Sequence, residues 1–159
     1  MKLKDMTTIV GLVLVAGFVA LTLSLSAGPA SVSAASARNG QVHLTKECSQ
    51  YTGLPGGFCT FTSSNLAQIG VPPSKVFYDQ VPNIPTGLLD SNVILDAGNG
   101  NRAVGRCTLD LGTGLGLCTF WDGTGELTGF DARVDVDCPG GGPNCTWDGT
   151  YRFNPQPRR

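Results

Sequence analysis

The stretch Phe130-Asp131-Ala132-Arg133-Val134-Asp135-Val136-Asp137-Cys138, with its sequel Cys145-Thr146-Trp147-Asp148-Gly149-Thr150-Tyr151-Arg152-Phe153, decides the fold. In the first run the apolar residues 130, 132, 134, 136 and 138 alternate with Asp131, Arg133, Asp135 and Asp137. Successive side chains of a strand point to opposite faces, so this is a strand with one dry and one wet face. The second run does the same, with Cys145, Trp147, Gly149, Tyr151 and Phe153 set against Thr146, Asp148, Thr150 and Arg152. Joining Cys138 to Cys145 fixes the register: Val136 opposite Trp147, Val134 opposite Gly149, Ala132 opposite Tyr151, Phe130 opposite Phe153. Every dry residue then meets a dry partner, and a slip of one residue would turn the whole set toward water, so pattern and disulfide support each other.

The other cysteines repeat this arrangement. Cys48 and Cys59 enclose ten residues, Cys107 and Cys118 ten, and Cys138 and Cys145 six. Each interval holds turn chemistry: Leu54-Pro55-Gly56-Gly57, Gly112-Thr113-Gly114, and Pro139 to Pro143 with three glycines between. The spacing predicts three hairpins closed by the bridges 48–59, 107–118 and 138–145, each worth about 2–3 kcal/mol in the chain-entropy view. No Cys-x-x-Cys occurs, which argues against zinc ligation and thiol–disulfide catalysis. Cys59-Thr60-Phe61 and Cys118-Thr119-Phe120 repeat one tripeptide, as two similar hairpins of one sheet would. Centring the middle hairpin on Gly112-Thr113 puts Cys107, Leu109 and Leu111 on one face with Cys118 and Phe120.

Further strands are expected at 42–47, 58–64, 75–79, 92–97, 103–111 and 115–121, with 127–136 and 145–153 completing the set. No long helical pattern appears after residue 40. Eight short strands with turns between them suggest a sandwich or a closed barrel, and a barrel leaves no unpaired edge and room inside for side chains or one small ligand. The expected domain spans residues 41–154, with loose termini at 35–40 and 155–159.

The 159-residue chain is 41% hydrophobic and only 14% charged. Eleven basic and twelve acidic residues give a net charge of −1, without the basic stripe that nucleic acid requires. Part of the hydrophobicity is N-terminal: Lys2 and Lys4 precede an uncharged stretch from Thr7 to Leu25, and Val32-Ser33-Ala34 has the small-x-small form of a signal-peptidase site. Residues 1–34 therefore read as a signal peptide preceding a secreted, extracellular or periplasmic domain with no stable membrane association after cleavage. An uncleaved N-terminal anchor is the alternative. Cleavage leaves 125 residues holding nine basic and eleven acidic side chains, and all six cysteines.

The segment Cys118 to Val134, with its core Gly123-Thr124-Gly125-x-Leu127-x-Gly129-x-x-Ala132-Arg133, resembles the strand-turn-strand signature of the allene oxide cyclase and dirigent barrels. Asn92 to Arg106 and Trp147 to Phe153 resemble bacterial secreted members of that superfamily, and the likeness extends over roughly residues 40–154. It implies an eight-stranded antiparallel up-and-down barrel with an apolar cavity. Two activities follow from it: dirigent-like binding that guides the conformation of a small apolar or phenolic molecule without redox chemistry, or a cofactor-free cyclase or isomerase. A solid barrel serving as a structural or interaction module is a third reading. The resemblance also admits a homo-oligomer, but it carries no catalytic residue onto a definite position. Its glycines have a local reading too, with Asp122-Gly123 supplying a tight turn and Gly125 and Gly129 permitting bends.

A cavity needs an apolar wall and one or two polar groups. Phe130, Trp147, Tyr151 and Phe153 are candidates for the wall, or are plain core. Glu47 and His43 share one parity on the first strand and are candidates for a buried acid–base pair; the competing reading makes 43, 45 and 47 the wet face opposite Val42 and Leu44. Tyr78 is a third candidate, although its neighbour Asp79 must face the other way. No cofactor or metal is implied.

Overall fold

The alternating runs pair as strands in the computed structural model, which describes residues 38–70 and 74–154. The strands are β1 (Asn39–Glu47), β2 (Phe58–Ser64), β3 (Lys75–Tyr78), β4 (Leu88–Asp96), β5 (Arg102–Asp110), β6 (Leu115–Thr124), β7 (Phe130–Asp137) and β8 (Asn144–Phe153). Each is antiparallel to the next and β8 returns to β1, so the described residues form a closed all-β barrel of eight strands in sequence order. Closure pairs both edges of the sheet. The proposed signal segment 1–34, residues 35–37 of the N-terminal linker and the tail 155–159 lie outside the described residues.

The register between β7 and β8 follows the alternation, with Phe130, Ala132, Val134 and Val136 opposite Phe153, Tyr151, Gly149 and Trp147. Cys107 sits directly across from Cys118. All three local bridges form, 48–59, 107–118 and 138–145.

Several boundaries differ from the periodicity. Asn39 and Gly40, expected in the linker, pair with Arg152 and Tyr151 as the start of β1. β4 begins at Leu88, not Asn92, because the polar residue that interrupts its apolar run is Ser91, which is buried yet bonded: its Oγ donates to the Asn92 carbonyl and accepts from Asp79 N and Gln80 N. β7 begins at Phe130, since Gly125–Leu127 form a 3₁₀ turn and Gly129 has a φ of +77°. A side chain at 129 would also bring its Cβ to 2.3 Å from the Asn154 carbonyl oxygen. The left-handed conformations thus fall at Gly125 and Gly129, while Asp122-Gly123 continues β6. Between β5 and β6 the pairing jumps from Val104–Asp122 to Gly105–Phe120, so Trp121 is the extra residue of a bulge and turns outward.

The interior is filled unevenly. At one end, where the β2–β3, β4–β5 and β6–β7 connections meet the start of β1 and the end of β8, aromatic rings close the barrel. Across the middle of the barrel Trp147 meets Phe61 edge to face at 5.3 Å and Phe120 at a tilt at 5.8 Å, and Phe130 continues the cluster to Tyr151 and Phe153 at that end. At the other end lie the β1–β2, β3–β4, β5–β6 and β7–β8 hairpin turns and the three cystines. The inward side chains there leave space between them.

Candidate functional site

That space is a cavity of about 370 Å³ at the cystine end. Its apolar wall includes Leu89 from β4, Leu109 from β5, Leu111 just beyond it, and the 48–59 and 138–145 bridges. Gly114 and residues 141–143 bring backbone to the rim. A Cβ at Gly114 would stand 2.1 Å from the Cys138 carbonyl oxygen, and Gly114 itself has a φ of +75°. The middle and last hairpins can meet so closely because that position has no side chain.

Three polar side chains reach this cavity: Lys46, Tyr51 and Tyr78. Lys46 lies on β1 between Phe61 of β2 and Cys145 of β8, in phase with Val42 and Leu44, and is only 3% exposed. Its Nζ donates to Tyr78 Oη at 2.6 Å. It also stands 4.8 Å from the Trp147 ring centroid and 5.2 Å from that of Tyr78. Among the described residues no carboxylate forms an ion pair with it. Burial without a counter-charge disfavours the ammonium form and lowers the Lys46 pKa to about 7. The Trp147 ring offsets part of that cost, since the negative face of an indole attracts a cation.

Tyr78 is fully in the interior, and burial first, then the neighbouring Tyr51, push its phenol well above the ordinary range. Burial also raises Tyr51. The Tyr51 and Tyr78 rings meet edge to face at 5.1 Å, and Tyr51 Oη is buried with no hydrogen-bond partner among the described residues. The site therefore offers an amine able to exist neutral near pH 7, two phenols that stay protonated, and an apolar wall.

The structure separates the residues read from the sequence. Tyr78 is in the cavity while Asp79 is exposed outside it. His43 and Glu47 are on the outer face: His43 Nδ1 meets Asp148 Oδ1 at 2.5 Å, and Glu47 accepts from the backbone N–H and the hydroxyl of Ser49. No acid–base pair forms between them. Phe130, Tyr151 and Phe153 build the aromatic end, Trp147 lies beneath Lys46 in mid-barrel, and none of the four lines the cavity.

Lys46 and Tyr51 were not singled out in the sequence. For Lys46 the signal existed, because an alternation that makes 43, 45 and 47 wet makes 46 dry. Tyr51 lies in the β1–β2 loop, where no periodicity speaks. Outside the barrel a second hollow runs beside Phe77, Ile94, Val104 and Trp121. Phe58, Phe77, Ile94 and Val104 form one cross-strand row over β2 to β5, a feature spread too thinly along the chain to stand out in any one strand. Arg106, on the same outer surface, forms a two-pronged pair with Asp90.

Among the described residues no three His, Cys, Asp or Glu side chains converge as a metal site, and no helix is long and apolar enough to cross a membrane. The class that fold and site define is a disulfide-braced, eight-stranded antiparallel barrel with a polar-seeded cavity at one end. No protein-family profile matches the chain, and neither a curated protein nor a solved structure shows a significant match to it.

Proposed function

We propose that this chain is an exported barrel protein that holds one small apolar or aromatic molecule in the cystine-end cavity. The observation that carries the reading is the cavity itself, about 370 Å³ with leucine and cystine walls and with Lys46, Tyr51 and Tyr78 as its polar groups. Small-molecule sites have this make-up, mostly apolar surface with a few placed polar atoms. Export is supported by the basic-then-apolar N-terminus with its small-x-small site, and by three cystines with no free thiol, which suit an oxidising compartment. The closed antiparallel meander agrees with the resemblance to the allene oxide cyclase and dirigent barrels, and of their two activities the dirigent-like one, binding and orienting, fits better. A cyclase of that kind calls for a buried carboxylate, and no acidic side chain lines this cavity among the described residues.

The test is native mass spectrometry of the protein against a library of apolar and phenolic molecules, with Leu109→Trp as the control that fills the cavity. One bound molecule per chain, lost in the variant, is expected. A library that leaves no bound species, or binding indifferent to Leu109→Trp, would refute the reading.

A further inference from the structure

Resting on that cavity reading, we propose that Lys46 is a nucleophilic amine that captures the carbonyl of an aldehyde or ketone entering the cavity, forming an imine. The geometry leaves the amine available. Its one close polar contact is a donated hydrogen bond to Tyr78 Oη, which uses an N–H and leaves the nitrogen lone pair unspent. The groups facing it from neighbouring elements are uncharged: Cys59 Sγ of β2 at 4.0 Å, Tyr78 of β3, and the Trp147 ring of β8. A lysine kept only for structure would more commonly reach water or a carboxylate; this one ends in a hollow with neither an acidic partner among the described residues nor exposure to solvent. Desolvation that holds a lysine neutral near pH 7 is one of the ways enzymes activate it for Schiff-base chemistry.

Tyr78 supplies the proton traffic. Its oxygen accepts from Lys46, and its own O–H has no acceptor among the described residues, so it is free to point at a ligand oxygen. In the first step the Nζ lone pair forms a bond to the carbonyl carbon, the π pair moves to oxygen, and a proton passes from nitrogen to that oxygen to give the carbinolamine. In the second the Tyr78 hydroxyl protonates the carbinolamine oxygen, which leaves as water while the C=N bond forms, and the remaining N–H proton returns to the Tyr78 oxygen. Amine plus carbonyl thus gives imine plus water, with no oxidant or reductant. The buried Tyr51 hydroxyl, unpartnered among the described residues, is a second donor for a ligand oxygen.

The experiment incubates the full chain at pH 7 with 2-naphthaldehyde and cyanoborohydride, which reduces the imine to a stable amine, followed by intact mass and peptide mapping. Lys75 is the internal control, on the outer face of β3 above the Phe58 ring. The neutral fraction of an amine with a pKa about 7 exceeds that of an ordinary lysine by on the order of 10³, so even with restricted access Lys46 is expected to label about tenfold faster or more. Labelling of Lys75 at an equal rate, or no adduct on Lys46, would overturn the proposal.

The alcohol 2-naphthylmethanol, which cannot form an imine, is titrated in parallel by its fluorescence. If it binds while Lys46 stays unmodified, the imine fails and the cavity reading stands; if it does not bind either, both fail. Lys46→Met is expected to lose the adduct and keep the alcohol. Tyr78→Phe, which retains the amine should Lys46→Met not fold, is expected to label about tenfold more slowly or worse, as the loss of a proton donor implies. Unchanged labelling in Tyr78→Phe would remove Tyr78 from the mechanism.

Discussion

Replacing Lys46 by methionine separates the cost of a buried amine from everything else in the barrel. The side chains have similar length, but methionine carries no charge to desolvate. In the folded chain the amine titrates near pH 7, and in the unfolded chain near the ordinary lysine value of 10.5. Between these values the unfolded chain binds the extra proton, so the stability of the parent protein rises with pH across that window. Below pH 7 both states are protonated and the full penalty is present. Integrated from pH 6 to pH 9, this one group makes the parent more stable by about 3 kcal/mol, and Lys46→Met lacks the contribution. Groups distant from position 46 contribute equally to both proteins and cancel in the difference between them.

Urea unfolding with the disulfides intact, at pH 6, 7, 8 and 9, measures it, and the absence of free thiols keeps the bridges from exchanging at the alkaline end. At pH 6 the variant is expected to be the more stable protein, because an apolar replacement of a buried charge removes its desolvation cost. A parent-minus-variant difference that stays constant from pH 6 to pH 9 would refute the reasoning, showing that Lys46 keeps an ordinary affinity for its proton and reaches solvent.

Three further outcomes follow from the fold. Paired replacement of Cys138 and Cys145 by alanine should lower the unfolding free energy by about 2–3 kcal/mol, read from the shift in the urea midpoint. Trp147→Ala, which removes the fully buried ring beneath Lys46, should cost about 3–5 kcal/mol by the same measurement. His43→Ala and Glu47→Gln, both outside the barrel, should leave 2-naphthylmethanol binding within about twofold of the parent, as distant and independent sites do; a large loss of affinity would return them to the candidate site.

The barrel was legible because its signals were redundant. Phe130 to Cys138 and Cys145 to Phe153 each carry the period-two pattern, the intervening bridge fixes their register, and the structure reproduces all four dry pairs. Signals failed where one residue served two purposes. Ser91 reads as polar and exposed, yet it is buried by meeting two backbone N–H groups and one carbonyl, which hid the first half of β4. Asp122-Gly123 reads as a turn, but the bulge at Trp121 lets the strand continue and moves the turn to Gly125.

The site was less visible. Rings dominate the dry face of β7 and β8, and from sequence a wall of aromatics and a plug of aromatics look the same; which end of the barrel they occupy depends on strand tilt and closure. Lys46 shares the dry parity of Val42 and Leu44, but a lysine next to an acidic residue at a strand end ordinarily faces water, so its type masks its position. Tyr78 was found by type, but its partner lies 32 residues away in sequence, a pairing that only the β1–β2–β3 order creates.

The account rests on the cystine end being hollow and able to hold a ligand, and a crystal structure of the protein soaked with 2-naphthylmethanol tests that most directly. The prediction is a naphthalene ring lying against Leu89, Leu109 and Leu111, with its hydroxyl toward Lys46 and Tyr51. A barrel filled by its own side chains at that end, or the probe bound only in the outer hollow beside Phe77 and Trp121, would contradict it.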